Sequence, residues 1–322
     1  MRPLRFTPQL KSLIWGGEKI APYKGIRTGG RNIGESWELS GVKGNESVVA
    51  EGEYAGRTLP ELIARFRGEL VGEAVYERHG TEFPLLVKFI DARQDLSIQV
   101  HPDDRLAWMR HKSNGKTEMW YVVAADKGAH LKSGFSKQLT PAEYERMVAD
   151  HTLTDALCDY PVTAGDLFFL PAGRVHAICA GTFVAEIQQT SDITYRIYDY
   201  GRTGADGKPR ELHTELAKDA IDYTVLPDYR SHYAAAKNRE VPLVSCPYFE
   251  TSLYELDAPL SRDLAALDSF LIVVCLKGSG VLCDDEGDEV PLRRGETLLV
   301  PASTRSVQFV PDPSLKLLTS HL

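Results

Sequence analysis

Nowhere in the 322 residues is there an unbroken apolar run of about 20, the length a helix needs to cross a bilayer. The opening MRPLRFTPQLKSLIWGGEKI likewise lacks the apolar stretch of a signal peptide. No CxxC spacing occurs; Cys158, Cys179, Cys246, Cys275 and Cys283 are scattered. An odd, unpatterned set of thiols is expected to stay reduced, which points to a cytoplasmic protein. Positive charge is in deficit, with 37 Lys and Arg against 45 Asp and Glu and a net charge of −8. That balance gives no general attraction to nucleic acid or to an anionic membrane, so neither is expected as a partner.

What is present is a succession of short β-branched and aromatic runs broken by Gly, Pro or Asp: LLVKFI, LSIQV, MWYVV, DLFFLP, FVAEIQQ, YRIYDY, FLIVVCL and ETLLVP. Such runs predict a mainly β chain, folded as a sandwich or barrel. A few helices interrupt it. Thr58 followed by Glu61, and Thr140 followed by Glu143, are capping boxes, and Pro141 suits the first helical position. The stretch ELHTELAKDAIDY is a third helical candidate. Residues 227–247 are polar and without a clear period. They read as a linker, which gives a first domain over 1–228, a linker over 229–247 and a second domain over 248–322.

One internal repeat bears on the organisation. GDLFFLPAGRVH runs from Gly165 to His176, and GETLLVPASTRS from Gly295 to Ser306. Each is a turn, a buried strand and a Pro-stiffened turn feeding another strand. Where the first copy has Gly173 and His176, the second has Ser303 and Ser306. Two similar β-barrels are therefore expected, of which the first alone keeps the histidine.

The first barrel carries the chemistry. In SIQVHPDD, Ser97, Gln99 and His101 alternate with Ile98 and Val100, so one strand face is polar. GKTEMWYVV places Glu118, Trp120 and Val122 on one face, with Lys116 two residues earlier. His176 follows a tight turn. Two imidazoles, a carboxylate and an amide oxygen can surround one divalent ion, as a catalytic zinc site requires. The same set could hold iron, manganese or nickel. In ITYRIYDY, Thr194, Arg196 and Tyr198 share a face, and a strand Arg needs an anion, either Asp192 or a ligand. Lys88, inside the apolar FPLLVKFI, must pair, snorkel or face a cavity.

Together PLLVKFIDARQDLSIQVHPDD, GKTEMWYV, AGDLFFLPAGRVHAI and EIQQTSDITYRIYDY, with WGG at Trp15 and GESWELS at Gly34, resemble the type I mannose-6-phosphate isomerases in their short bacterial form. The resemblance covers roughly residues 5–223. It implies two cupin-like jelly-roll barrels, the second degenerate. It implies one zinc ion per chain, held by Gln99, His101, Glu118 and His176. Arg196 matches the family's essential arginine, and Glu186 and Lys116 match polar positions able to carry a proton. Lys88, Asp192 and Ser97 fall on the substrate side. The implied reaction is the metal-assisted interconversion of mannose 6-phosphate and fructose 6-phosphate through an enediol, in a monomer or weak homodimer. The alternative is a sugar-binding or regulatory cupin without catalysis. Two departures stand out: a helical insertion reduced to about Thr140–Asp159, and Ala180 in place of an Asn after the cupin histidine.

Overall fold

The apolar runs become twenty strands and the helical patterns seven helices in the computed structural model of the chain, which describes residues 1–30, 32–204 and 207–322. In chain order they begin β1 (Leu4–Arg5), β2 (Gln9–Gly17), α1 (Ile20–Lys24), β3 (Ile33–Ser40), α2 (Leu59–Phe66), α3 (Gly68–Val71) and α4 (Glu73–His79). Then follow β4 (Leu85–Asp91), β5 (Ile98–Val100), α5 (Asp104–His111), β6 (Glu118–Ala125), β7 (His130–Phe135) and α6 (Pro141–Ala149). After these come β8 (Leu157–Pro161), β9 (Leu167–Leu170), β10 (His176–Ile178), β11 (Thr182–Gln189), β12 (Tyr195–Tyr198) and α7 (Thr214–Ala220). The chain ends with β13 (Arg230–Ser231), β14 (Glu240–Cys246), β15 (Phe249–Leu256), β16 (Leu260–Asp263), β17 (Leu271–Asp284), β18 (Glu289–Arg293), β19 (Thr297–Val300) and β20 (Ser306–His321). Both expected capping boxes form, at the starts of α2 and α6. No described helix is long and apolar enough to cross a membrane.

The first barrel is two facing antiparallel sheets. One has the order β13-β9-β6-β11-β4-β3-β2, the other β12-β5-β10-β7-β8. Neither sheet closes on itself. Between them lie Trp15, Ile90, Trp120, Val122, Phe168 and Ile178. The outer face of the five-stranded sheet packs Ile98, Val100, Tyr195 and Ile197 beneath Tyr144 of α6 and Ala217 of α7. The outer face of the seven-stranded sheet packs Val87, Phe89, Met119 and Ile187 against α2, α3 and the second barrel. That sheet is covered on both sides, so β4 is buried at every residue, Lys88 included. Double burial explains its continuous apolar run.

The second barrel is one eight-stranded sheet bent over its own core of Leu271, Val273, Leu282, Leu298, Val300 and Phe309. The bend falls in β17, where the register shifts between Gly278 and Gly280. Gly278 has φ +79°, and a Cβ there would meet the Ser314 carbonyl at 2.0 Å, so only glycine fits. Residues 229–247 contribute β13 to the first barrel and β14 to the second.

The repeat is visible in the pairing. Leu170 and Val300 each stand just before the repeat's proline, and they pair with Glu118 and Leu271 respectively. His176 pairs with Gln99, and Ser306 with Asp263. The three positions that carry Glu118, Gln99 and His176 in one barrel therefore carry Leu271, Asp263 and Ser306 in the other. Leu271 is fully buried among apolar neighbours.

A buried ion pair joins the barrels. Lys24 of α1 lies 2.7 Å from Glu38 of β3 and donates to the Gly295 carbonyl of the second repeat. Burial pushes the Glu38 carboxyl up, and Lys24 works against that shift. Glu38→Ala leaves the ammonium buried without its anion and should cost about 3–5 kcal/mol in urea unfolding, whereas the Lys24→Met/Glu38→Leu double variant should recover most of that loss. A single Glu38→Ala variant as stable as wild type would show that this pair does not hold the barrels together.

Candidate metal centre and substrate cavity

The inner face of the five-stranded sheet aligns three polar side chains in one cross-strand row. His176 of β10 pairs with Gln99 of β5, and Gln99 pairs with Arg196 of β12. Directly opposed residues sit about 4.5–5.5 Å apart, so the three side chains follow one another along the row at that interval. His101 follows β5 at its end. A second row crosses the seven-stranded sheet, where Trp37, Lys88, Glu186 and Trp120 are successive neighbours on β3, β4, β11 and β6. Glu118 begins β6 two residues before Trp120, on the same inner face.

His101, Glu118 and His176 converge from the two sheets, with acceptor atoms within 4.8 Å of one another and all three buried. Nδ1 of His101 lies 2.8 Å from the Ile193 carbonyl, and Nδ1 of His176 lies 2.8 Å from that of Arg174. A carbonyl only accepts, so each Nδ1 carries the proton and each Nε2 presents a lone pair to the centre. Burial, reinforced by Lys116, pushes both imidazoles below their usual value, His176 to about 3. Both rings are neutral at neutral pH, the form that binds a metal. Burial also pushes Glu118 up, to about 7, against the pull of Lys116. Glu118 Oε1 is 3.2 Å from His176 Nε2, yet has no hydrogen-bond donor. Lone pairs packed this closely, and buried, are stabilised by a cation among them. The donor set therefore fits a divalent ion. Gln99 stands beside the cluster, with its amide nitrogen 3.4 Å from His176 Nε2.

Lys116 precedes β6 and is not part of the strand. Its ammonium still reaches the centre, 3.0 Å from His101 Nε2 and hydrogen-bonded to Glu118. Above the centre opens a cavity of about 330 Å³, lined by Ser97, Gln99, Lys88, Lys116, Glu186, Asp192 and Arg196. All ten residues singled out from the sequence thus come to one place, three in the His101–Glu118–His176 cluster and seven along the cavity wall. Lys88 is 3.1 Å from Glu186 and 3.9 Å from Glu35 and lies over the Trp37 ring at 5.1 Å. Glu186 also accepts from the Trp120 indole at 2.7 Å. Burial pushes its carboxyl up, but Lys88, Lys116 and that hydrogen bond outweigh burial and hold it at about 2.

Arg196 does not pair with Asp192. One guanidinium nitrogen donates to the Glu211 carbonyl at 2.9 Å, and its Nε is buried without an acceptor. Beside it on the wall is Arg210, which the sequence reading missed. It lies in GRTGADGKPRELH, where no periodicity marks a side chain's direction. Asp199 sets that direction, since its Oδ2 accepts from Arg210 Nε at 2.6 Å while Oδ1 accepts from Arg202 and Arg210. Glu35 and Trp37 also line the cavity, and the GESWELS segment was the signal for them.

Comparison with known proteins gives one consistent answer. Residues 4–129 match the phosphomannose isomerase type I catalytic domain, and residues 239–322 match the mannose-6-phosphate isomerase cupin domain. The chain is 34% identical to the mannose-6-phosphate isomerase of Streptococcus mutans over 99% of its length and 98% of the relative's. It is 35% identical to mannose-6-phosphate isomerase ManA of Bacillus subtilis over 93% of both chains. The crystal structure of the Bacillus subtilis mannose 6-phosphate isomerase superposes over 100% of both chains, with TM-score 0.89 and 31% identity.

Losing one imidazole from a set with three strong ligands should destroy the centre. His101→Ala or His176→Ala should therefore lose most bound divalent metal on elemental analysis, and Gln99→Ala should lose less, a neutral amide being the weakest donor of the four. Full metal content in the His176→Ala protein would remove the assignment.

Proposed function

The chain belongs to the type I mannose-6-phosphate isomerases, and from that membership we propose that the cavity above Gln99, His101, Glu118 and His176 is where it interconverts mannose 6-phosphate and fructose 6-phosphate. The charge pattern of the wall supports this reading best. Lys88 faces Glu186, Lys116 faces Glu118 and Arg210 faces Asp199, whereas Arg196 has no carboxylate partner among the described residues. A half-buried guanidinium left in this way calls for an anion from the substrate.

The reaction moves a proton between C2 and C1 of the open sugar and builds negative charge on O1 and O2. We propose zinc as the ion of the centre, one per chain, where it would polarise the carbonyl and share that charge. The neutral imidazoles with fixed Nδ1–H bonds hold their Nε2 atoms in place without rearrangement. Arg196, on the same cross-strand row as Gln99 and His176, is placed to meet the sugar oxygens where charge develops. Arg210, farther along the wall and steadied by Asp199, supplies positive charge for the 6-phosphate, and Ser97 and Asp192 offer hydrogen bonds to the sugar. Of the two candidates for carrying the proton, Lys116 has the better position. Its Nζ stands against His101 and Glu118, whereas Glu186 is engaged by both Lys88 and Trp120. Trp37 and Trp120 flank the Lys88–Glu186 pair.

The division into a catalytic domain over 1–228, a linker over 229–247 and a degenerate barrel over 248–322 is part of the proposal, with β14 of the linker lengthening the second barrel's sheet. So are action in the cytoplasm and a monomeric or weakly dimeric state, which unpatterned thiols and net charge −8 support.

A coupled assay for fructose 6-phosphate tests the reading. Wild type should turn over mannose 6-phosphate, a chelator should stop it, and Lys116→Met should abolish exchange of the C2 proton with solvent. Undiminished turnover after complete metal removal would refute it.

Arg196 and Arg210 should separate kinetically. A group that stabilises only the developing charge contributes to kcat, so Arg196→Ala should lower kcat about a hundred- to a thousandfold, or ~3–4 kcal/mol, with KM changed much less. Arg210→Met, removing contact with the unreacting phosphate, should instead raise KM. An Arg196→Ala protein that melts early yet keeps normal kcat per folded molecule would make Arg196 a structural residue.

A further inference from the structure

Asp104 stands three residues after His101, at the first turn of α5, and faces away from the substrate cavity into a separate cleft between the barrels. Its carboxylate serves three other segments. Oδ1 accepts from the Gly115 amide at 2.8 Å and from Gln189 Nε2 at 3.0 Å, and Oδ2 accepts from the Tyr248 hydroxyl at 3.0 Å. Gly115 leads directly into Lys116 and Glu118. Its approach is close enough that a Cβ there would lie 2.6 Å from the Asp104 nitrogen. Gln189 passes the restraint on, since its Oε1 accepts from the Thr117 backbone amide at 2.8 Å and its backbone N–H donates to the Thr117 carbonyl at 3.1 Å. The Lys116 amide donates to the Pro102 carbonyl at 3.2 Å. The segment bearing His101 and the segment bearing Lys116 and Glu118 are thus tied together at Asp104.

Tyr248 comes from elsewhere. It sits in the turn between β14 and β15, in the barrel that has an apolar residue where Glu118 should be. We propose that Asp104 is a positioning residue for the metal centre, and that through Tyr248 the degenerate barrel braces it. Metal ligands must be held to within about half an ångström by their supporting residues. A carboxylate taking three bonds holds its donors more firmly than neutral acceptors would. The inference rests on the reading of the cavity as a metal-dependent isomerase site, and it gives the second barrel a function in that site.

Full-length protein loaded with zinc provides the test, in the variants Tyr248→Phe, Asp104→Ala and both together. Two quantities are measured: the rate at which a chromogenic chelator strips the zinc, and kcat against KM for mannose 6-phosphate. Tyr248→Phe keeps the ring and removes one donor, so stripping should be about threefold faster and kcat correspondingly lower, with KM unchanged. Asp104→Ala should speed stripping by ~tenfold or more. The double variant should be no worse than Asp104→Ala, because both changes break one path. Should Asp104→Ala fail to fold, Asp104→Asn takes its place beside Tyr248→Phe, with an intermediate effect expected. Wild-type stripping and kcat in Tyr248→Phe overturn the inference, even if the melting temperature falls, since that is the behaviour of a merely structural bond. So does a double variant whose losses multiply. A wild-type chain that holds no zinc, or holds it and does not isomerise, overturns the isomerase reading itself, and the wild-type control alone identifies that case.

Discussion

Three lone-pair donors buried against one another are the constraint to which the catalytic half conforms. His101, Glu118 and His176 bring their acceptor atoms within 4.8 Å of one another, and all three are buried. Such a cluster is costly unless a cation completes it and unless each ring is prevented from turning away. The carbonyls of Ile193 and Arg174 do the second, each taking an Nδ1 proton. The sheets do the rest. Two ligands come from the five-stranded sheet and its edge and one from the seven-stranded sheet, so the facing of the two sheets is itself part of the site. The seven-stranded sheet is covered on its outer side as well, where α2, α3 and the second barrel close over it.

What the sequence showed of this followed the rule of period two. Gln99 and His101 alternate with Ile98 and Val100, and in the structure the apolar pair faces α6 and α7 while Gln99 faces the cavity. Arg196 could be placed on a polar face for the same reason, and its strand alternates buried and half-buried as expected. The capping boxes at Thr58 and Thr140 were legible because they depend on residues three apart. Lys116 was less so, because it lies before its strand begins and reaches the centre by its length. Arg210 and Asp104 carried no signal of their own. Each is defined by partners distant in sequence, Asp199 for one and Gly115, Gln189 and Tyr248 for the other, and no local period encodes such a meeting. The convergence of the ligands belongs to the same class. Family motifs pointed to it, whereas spacing by itself did not.

The two barrels show how few residues separate a site from a core. Both share the frame from glycine through a buried strand to Pro-Ala, and both pair that strand with a long neighbour in the same register. With Glu118 in the frame the interior must admit a cation, and the wall above it stays polar. With Leu271 in the frame the interior fills with Val273, Leu298, Val300 and Phe309. The second barrel thereby becomes a rigid apolar body, suited to lie against the outer face of the first.

The same economy governs the charges along the cavity. Four cations reach it, and a buried cation without a partner weakens the fold by several kcal/mol. Three of them face carboxylates across short distances, so they keep their positions at little cost and remain polar surfaces for a hydroxylated ligand. Only Arg196 lacks such a partner among the described residues, and it is half-buried, with the Glu211 carbonyl as its acceptor. Leaving one cation so disposed costs less than leaving several. It also concentrates the cavity's demand for an anion at a single point on the row shared with Gln99 and His176. In the proposed reaction the sugar oxygens whose charge grows during isomerisation would satisfy that demand. On the proposed role of Arg196, the electrostatic gap that burdens the fold would then be the one that favours the transition state over the bound sugar.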